Sequence, residues 1–172
     1  MEEFLDTVCT PSWNEQMDRG RPFAEAVAEL VGRFPDQAEL VAAYHERWPE
    51  MLRGPIEGTV EVLHELRAAG VPTYVLSNAS AETWPDAVER FPFLEELDGV
   101  LVSGEVRMAK PDPEIFEELC RRFGVVPAST IFIDDKAANI EAARRLGFAG
   151  HHFQGAAALR EELVALGLLP ET

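Results

Sequence analysis

The chain has 172 residues, 47% of them hydrophobic and 27% charged, which is the composition of one globular domain or of a domain with a small insert. Roughly 70% of the unfolded surface can be buried at this length, so the core needs no staples. Fifteen basic residues against 31 acidic ones leave a net charge of −16, which repels a phosphate backbone and argues against nucleic acid as a partner. No apolar run approaches the ~18 residues that would cross a membrane. The acidic start Met1-Glu2-Glu3-Phe4 does not read as a secretory leader. Cys9 and Cys120 lie far apart and read as free thiols of a cytoplasmic protein. The four histidines lack metal-ligand spacing, and the adjacent pair His151-His152 would point to opposite faces of a strand.

Up to about residue 53 the pattern is helical. A short helix is expected over 2–8, and the stretch from Thr10-Pro11-Ser12 to Gly20-Arg21-Pro22 is rich in turn formers. Ala24, Val27, Leu30, Val31 and Phe34 recur at helical spacing and predict a helix over 23–34. Pro35-Asp36 breaks it, and a second long helix is expected over 37–51 through Leu40, Val41, Tyr44 and Trp48. From Gly54-Pro55 onward helices and strands alternate. Helices are expected over 58–69, 81–90, from Asp112-Pro113 through Phe123, over 136–147 and over 156–166. Strands are expected at 71–76, 99–102, 130–133 and 149–153. Single helices between strands imply crossover connections and a parallel sheet. The expected class is α/β: a Rossmann-like parallel sheet over 54–172 behind a helical segment over 1–53.

Ligands of open parallel sheets bind at the carboxyl ends of the strands. Ser77 and Asn78 follow the first strand here. Ser103, Gly104 and Glu105 follow the second, leading to Lys110-Pro111. Asp134, Asp135, Lys136 and Asn139 follow the third. These groups suit one anion and one hard cation: hydroxyl and amide donors with an ammonium for phosphate oxygens, paired carboxylates for Mg²⁺. The chain otherwise takes its positive charge from 13 arginines, and both of its lysines fall in these loops. Ser77 and Asn78 could instead cap the following helix, and Asp134-Asp135 could serve a helix N-terminus. Trp13, Arg19, Arg21 and Trp84 could line a substrate pocket, although core packing or surface pairing accounts for them more simply.

The run Leu76-Ser77-Asn78, then Ser103-Gly104-Glu105 leading to Lys110-Pro111-Asp112-Pro113, then Ile131-Phe132-Ile133-Asp134-Asp135 with Asn139, resembles the haloacid dehalogenase superfamily of hydrolases. The resemblance spans about 54–168, and residues 1–53 look like that family's helical cap. It implies a Mg²⁺-dependent phosphatase acting on a small phosphorylated compound. Ser77 and Asn78 would hold the transferring group. Lys110 would neutralise charge on nucleophile and phosphate. Asp134 and Asp135 would bind the metal, and Asn139 would orient the acidic loop. The acidic pair favours this branch over the metal-independent 2-haloacid dehalogenases. A receiver domain uses similar residues, but with the acidic pair before the Lys-Pro.

The family's first motif, a strand ending in the nucleophilic Asp, is expected before the cap and is not found in this sequence. Phe4-Leu5-Asp6 has only two apolar residues before its Asp and reads as a helix turn; Asp18 and Asp36 have no strand before them. The resemblance places that strand in the middle of the sheet. Without it, the strands ending at Leu76 and Ile133 would either pair directly or flank a gap. The expectation is a chain short by roughly 15–30 residues at its N-terminus and inactive as written. A short protein that keeps the site only to bind phosphate, Mg²⁺ or a protein partner is the non-catalytic alternative, and completion of the sheet by another chain is a third.

Overall fold

The computed structural model describes residues 2–171. Five helices come first: α1 (Glu2–Thr7), α2 (Pro11–Asp18), α3 (Phe23–Arg33), α4 (Ala38–Glu46) and α5 (Trp48–Met51). The alternating part follows as α6 (Glu57–Ala68), β1 (Tyr74–Ser77), α7 (Trp84–Arg90), β2 (Gly99–Val102), α8 (Ser103–Val106), α9 (Pro113–Phe123), β3 (Ile131–Asp134), α10 (Ala137–Arg145), β4 (Ala149–His152) and α11 (Ala156–Ala165). The chain divides into two compact units. One holds the residues up to Arg53 with Ser77–Pro92 and Val102–Ala109; the other holds Gly54–Leu76, Phe93–Leu101 and the chain from Lys110 onward.

Two expectations in the helical part are corrected. The stretch after Thr10 is the helix α2, not a run of turns. Thr10 caps it by accepting the Trp13 N–H on its hydroxyl at 3.2 Å, and Pro11 sits in the first turn, where its missing N–H costs nothing. The helix expected over 37–51 is two helices, because Pro49 cannot continue α4 and instead opens α5.

The first unit packs around Trp13, Met17, Phe23, Ala26, Leu30 and Val41, all buried. Trp13 meets Phe23 and Tyr44 edge-on, with ring centroids at 6.2 and 5.3 Å, so it is core and not pocket lining. Arg19 and Arg21 pair with Glu15 and Glu29 on the surface. The segment 77–92 is tied in through Glu82, which accepts the Phe23 N–H at 2.9 Å.

In the second unit β3 and β4 are parallel, in the register Ile131 to Ala149 through Asp134 to His152. β3 is apolar on both faces, as a strand covered from both sides must be. Ile131 and Ile133 join Val62 and Leu66 of α6 and Leu159 and Leu163 of α11. On the other face Phe132 meets Phe116 of α9 and Phe148 at 5.1 and 6.3 Å. Gly124 ends α9 in the left-handed conformation at φ 69°, where a side chain would be strained.

The four strands form two separate sheets, β1 with β2 and β3 with β4. Of the two arrangements expected for β1 and β3, the gap is the one found. An apolar cavity of about 480 Å³ is lined by Tyr74, Val75 and Leu76 of β1 and by Ile131, Phe132 and Ile133 of β3.

Burial raises the Cys9 thiol from 9.0 to about 11. Burial, with the nearby Cys9 and Asp18, raises the Tyr44 phenol from 10.0 to about 12. Both stay neutral in the folded unit and ionise sooner in the unfolded chain. Their contribution to stability is therefore complete below about pH 9 and is lost as the pH rises toward 12. The urea midpoint of the native chain is expected to hold up to about pH 9 and then fall, with a smaller fall in the Cys9→Ala, Tyr44→Phe double variant.

Candidate functional site

Lys110, Asp134 and Asn139 meet within the second unit. β3 ends in Asp134, so the strand delivers a carboxylate to its own carboxyl end. The side chain is 6% exposed, and its three hydrogen bonds come from three different places. Lys110 Nζ donates to Oδ2 at 2.8 Å. The Lys136 N–H donates to Oδ1 at 2.8 Å, and Asn139 Nδ2 donates to Oδ1 at 2.9 Å. Asn139 is buried on the first turn of α10, which is why a residue five positions away reaches the same carboxylate.

The ionisation of Asp134 follows from these contacts. Burial pushes its carboxyl up. The hydrogen bond and charge of Lys110, together with the donors from Lys136 and Asn139, outweigh burial and hold it below the usual carboxylate range. The group is an anion facing a cation.

Lys110 has its side chain only 11% exposed. Its ammonium also donates to the Leu76 carbonyl at 2.6 Å and lies 5.6 Å from the centre of the Phe132 ring. The peptide bond from Lys110 to Pro111 is cis. One side chain thus links the end of β1 to the end of β3. The carboxyl ends of the two strands therefore lie at the same end of the unit, and β1 and β3 run the same way.

Asp135 keeps its side chain exposed, while its carbonyl is 2.9 Å from His152 Nε2. Among the described residues no three His, Cys, Asp or Glu side chains form a metal-sized cluster. The donor set nevertheless suits Mg²⁺, which takes one or two carboxylates and fills its octahedron with water and substrate oxygens. Asp135 and the remaining lone pair of Asp134 would be its protein ligands.

Ser77 and Asn78 are half-buried and belong to the other unit. Neither caps a helix, since α7 starts only at Trp84 after Thr83. Ser103, grouped above with the polar residues that follow the strands, is fully buried and does not face a ligand. Its hydroxyl accepts the Ala79 N–H at 2.9 Å and donates to the Ala79 carbonyl at 3.2 Å, clamping the loop that carries Ser77 and Asn78. Gly104 permits the approach: a Cβ there would stand 2.5 Å from the Ala81 nitrogen and 2.9 Å from the Ala79 oxygen. A serine and a glycine directly after a strand were the signal, but the partner loop lies more than twenty residues away.

Comparison with known proteins places the chain in a family. The family model for haloacid dehalogenase-like hydrolases matches residues 8–147. The chain is 32% identical over 133 residues to the validoxylamine A 7'-phosphate phosphatase of Streptomyces hygroscopicus, covering 74% of this chain and 62% of that protein. It is 29% identical over 160 residues to a sesquiterpene phosphatase of Aspergillus oryzae, covering 92% and 81%. It is 32% identical over 121 residues to a (S)-2-haloacid dehalogenase of Pseudomonas, covering 69% and 50%. The chain thus spans between half and about four fifths of these relatives. Among solved structures, a HAD-like family hydrolase of Porphyromonas gingivalis superposes with a TM-score of 0.73 at 21% identity, over 98% of this chain and 84% of that one. A HAD family enzyme of Bacteroides thetaiotaomicron in complex with magnesium and inorganic phosphate superposes with a TM-score of 0.70 at 25% identity, over 90% and 78%.

Removing one member of a buried ion pair strands the other. Asp134→Ala is expected to cost about 3–5 kcal/mol in urea unfolding. Lys110→Met should cost less, because Asp134 keeps two donors. The double variant should fall short of the sum of the two, which a double-mutant cycle reads directly.

Proposed function

Because this chain belongs to the haloacid dehalogenase-like hydrolases, whose family model spans residues 8–147, we propose that it derives from a Mg²⁺-dependent phosphatase of a small phosphorylated compound. The observation that carries this reading is the buried Lys110–Asp134 pair with the exposed carboxylate of Asp135 beside it. An ammonium held at a strand end presents positive charge to a phosphoryl oxygen. Asp134 and Asn139 fix its position, so little reorganisation accompanies charge arriving there. Within their own unit, Ser77 and Asn78 sit on a loop clamped by Ser103 and are neutral donors of the kind that phosphate oxygens accept. A bound Mg²⁺ would add Lewis-acid stabilisation of the same oxygens.

Two phosphatases among the relatives support the phosphate branch. Adjacent carboxylates at 134 and 135 support it too, since a halide-releasing site has no use for a cation. The covalent step needs a nucleophilic carboxylate, and neither Asp6, Asp18 nor Asp36 lies on a strand: Asp6 and Asp18 are helical and Asp36 lies in a 3₁₀ turn. We therefore read these 172 residues as holding the binding half of the chemistry, with turnover depending on a group that they do not supply.

Calorimetric titration with Mg²⁺ and inorganic phosphate tests the binding half. Heat at millimolar ligand, lost in Asp135→Asn with the fold unchanged, is the expected result; no heat in the native chain counts against any retained site. An aryl phosphate assay tests the other half. Turnover near background is expected, and robust turnover abolished by Lys110→Ala would show that the nucleophile is present after all. Release of halide from 2-haloacids without metal would favour the dehalogenase branch instead.

A further inference from the structure

Both peptide groups that flank Asp135 are held in place, while its side chain is exposed. The peptide group before it is fixed through its oxygen: the Asp134 carbonyl accepts the N–H of Phe153, one residue beyond β4, at 2.9 Å. The peptide group after it is fixed at both ends. Its N–H belongs to Lys136 and donates to Asp134 Oδ1 at 2.8 Å. Its oxygen, the Asp135 carbonyl, lies 2.9 Å from His152 Nε2. A carbonyl oxygen has no proton to give, so Nε2 carries the hydrogen and donates it.

The layout of β4 explains how a histidine reaches this loop. β3 and β4 are parallel, with Asp134 opposite His152. Alternation puts His152 on the same face as Gly150 and turns His151 to the other. The Gly150 face is the one covered by α10, since a Cβ on Gly150 would stand 2.9 Å from Cγ2 of Ile140. The turn from β3 into α10 rises from that face, and the ring two residues further along β4 meets its backbone. His151 takes no part, and its Nε2 is buried without a partner among the described residues.

We infer that His152 is a positioning residue for the Asp135 carboxylate. Its ring bonds the backbone of Asp135, not the carboxylate, and so acts on a ligand only through that residue. With the peptide group pinned from the β4 side, the Asp135 side chain departs from one fixed backbone. Only its own χ angles then remain to be ordered when a cation arrives. Freedom removed in advance is not lost on binding, and an exposed carboxylate has the most to gain from this. The inference rests on the reading of Asp135 as a protein ligand of Mg²⁺. Hydrogen bonds one step removed from a metal typically change its affinity about 10–100-fold when they are lost.

Two measurements on the 172-residue chain test this role. In the absence of metal, hydrogen exchange at the Lys136 amide reports the far end of the peptide group that His152 holds. It is expected to quicken about tenfold in His152→Leu. It should keep its native rate in His152→Gln, whose amide nitrogen is a donor as many bonds from the backbone as Nε2. Calorimetric titration with Mg²⁺ in the presence of inorganic phosphate is the second measurement. His152→Leu should bind about tenfold more weakly, and His152→Gln within about twofold of the native chain. An unchanged Lys136 amide in His152→Leu would overturn the inference, as would equal losses of Mg²⁺ affinity in the two variants. Faster exchange with native Mg²⁺ affinity would overturn it too, leaving His152 a purely structural contact. If the native chain itself gives no heat with Mg²⁺ and phosphate, the reading of Asp135 as a ligand fails, and the inference falls with it whatever the Lys136 amide does.

Discussion

The Lys110 ammonium is the point on which the second unit depends. It joins the edge of β1 to the end of β3 where no backbone hydrogen bond does so. Without it, two short two-stranded sheets would be related only by the helices packed over them. A two-stranded ribbon is marginal alone and gains stability from packing. Here that packing comes from α6 and α11 on one face and from the Phe116, Phe132 and Phe148 cluster on the other. The same ammonium is the centre of the candidate phosphate site, so structure and chemistry draw on one ion pair.

This sharing ties Asp134 to several of its neighbours at once. An unpaired ammonium at this depth would lose much of its solvation. Asp134 compensates it, and Asn139 and the Lys136 N–H in turn hold Asp134 in place. The N-terminus of α10 contributes its dipole to the same carboxylate. The helix is thus part of the electrostatics as well as of the packing.

Much of this was legible in the sequence, for reasons that differ by element. α3 and α9 follow from apolar spacing, and β2 from an apolar run beside a glycine. α2 was missed although Thr10-Pro11 is a helix-opening pair, because the polar residues behind it hid a buried face made only of Trp13 and Met17. The break before α5 was signalled by Pro49 and overridden by the run of apolar residues around it. Asp134 and Asn139 could be read because they stand at a strand end and on the helix turn beside it, and Lys110 because it precedes Pro111 in the loop that leads to α9. The clamp made by Ser103 could not, because it depends on loops brought together from distant positions. The resemblance to a family with a central strand raised the gap between β1 and β3 as one of two outcomes. Only the strand pairing decided between them.

The geometry also limits how a metal could be held. A carboxylate offers about four lone-pair sites, and Asp134 already uses three on Lys110, Lys136 and Asn139. Only one is left for a cation, and Lys110 lies 2.8 Å from the oxygen that carries it. A Mg²⁺ close to that oxygen would face the repulsion of the ammonium, so Asp135 would have to provide most of the protein's share. Asp135 is exposed to solvent. One exposed carboxylate and one shared lone pair make a weak site for a bare cation. A phosphate would strengthen it from the other side, offering oxygens to the metal and to Lys110 together and placing negative charge between two cations that otherwise repel. Metal and anion binding at these residues should therefore be mutually dependent, each raising the affinity of the other by the same factor.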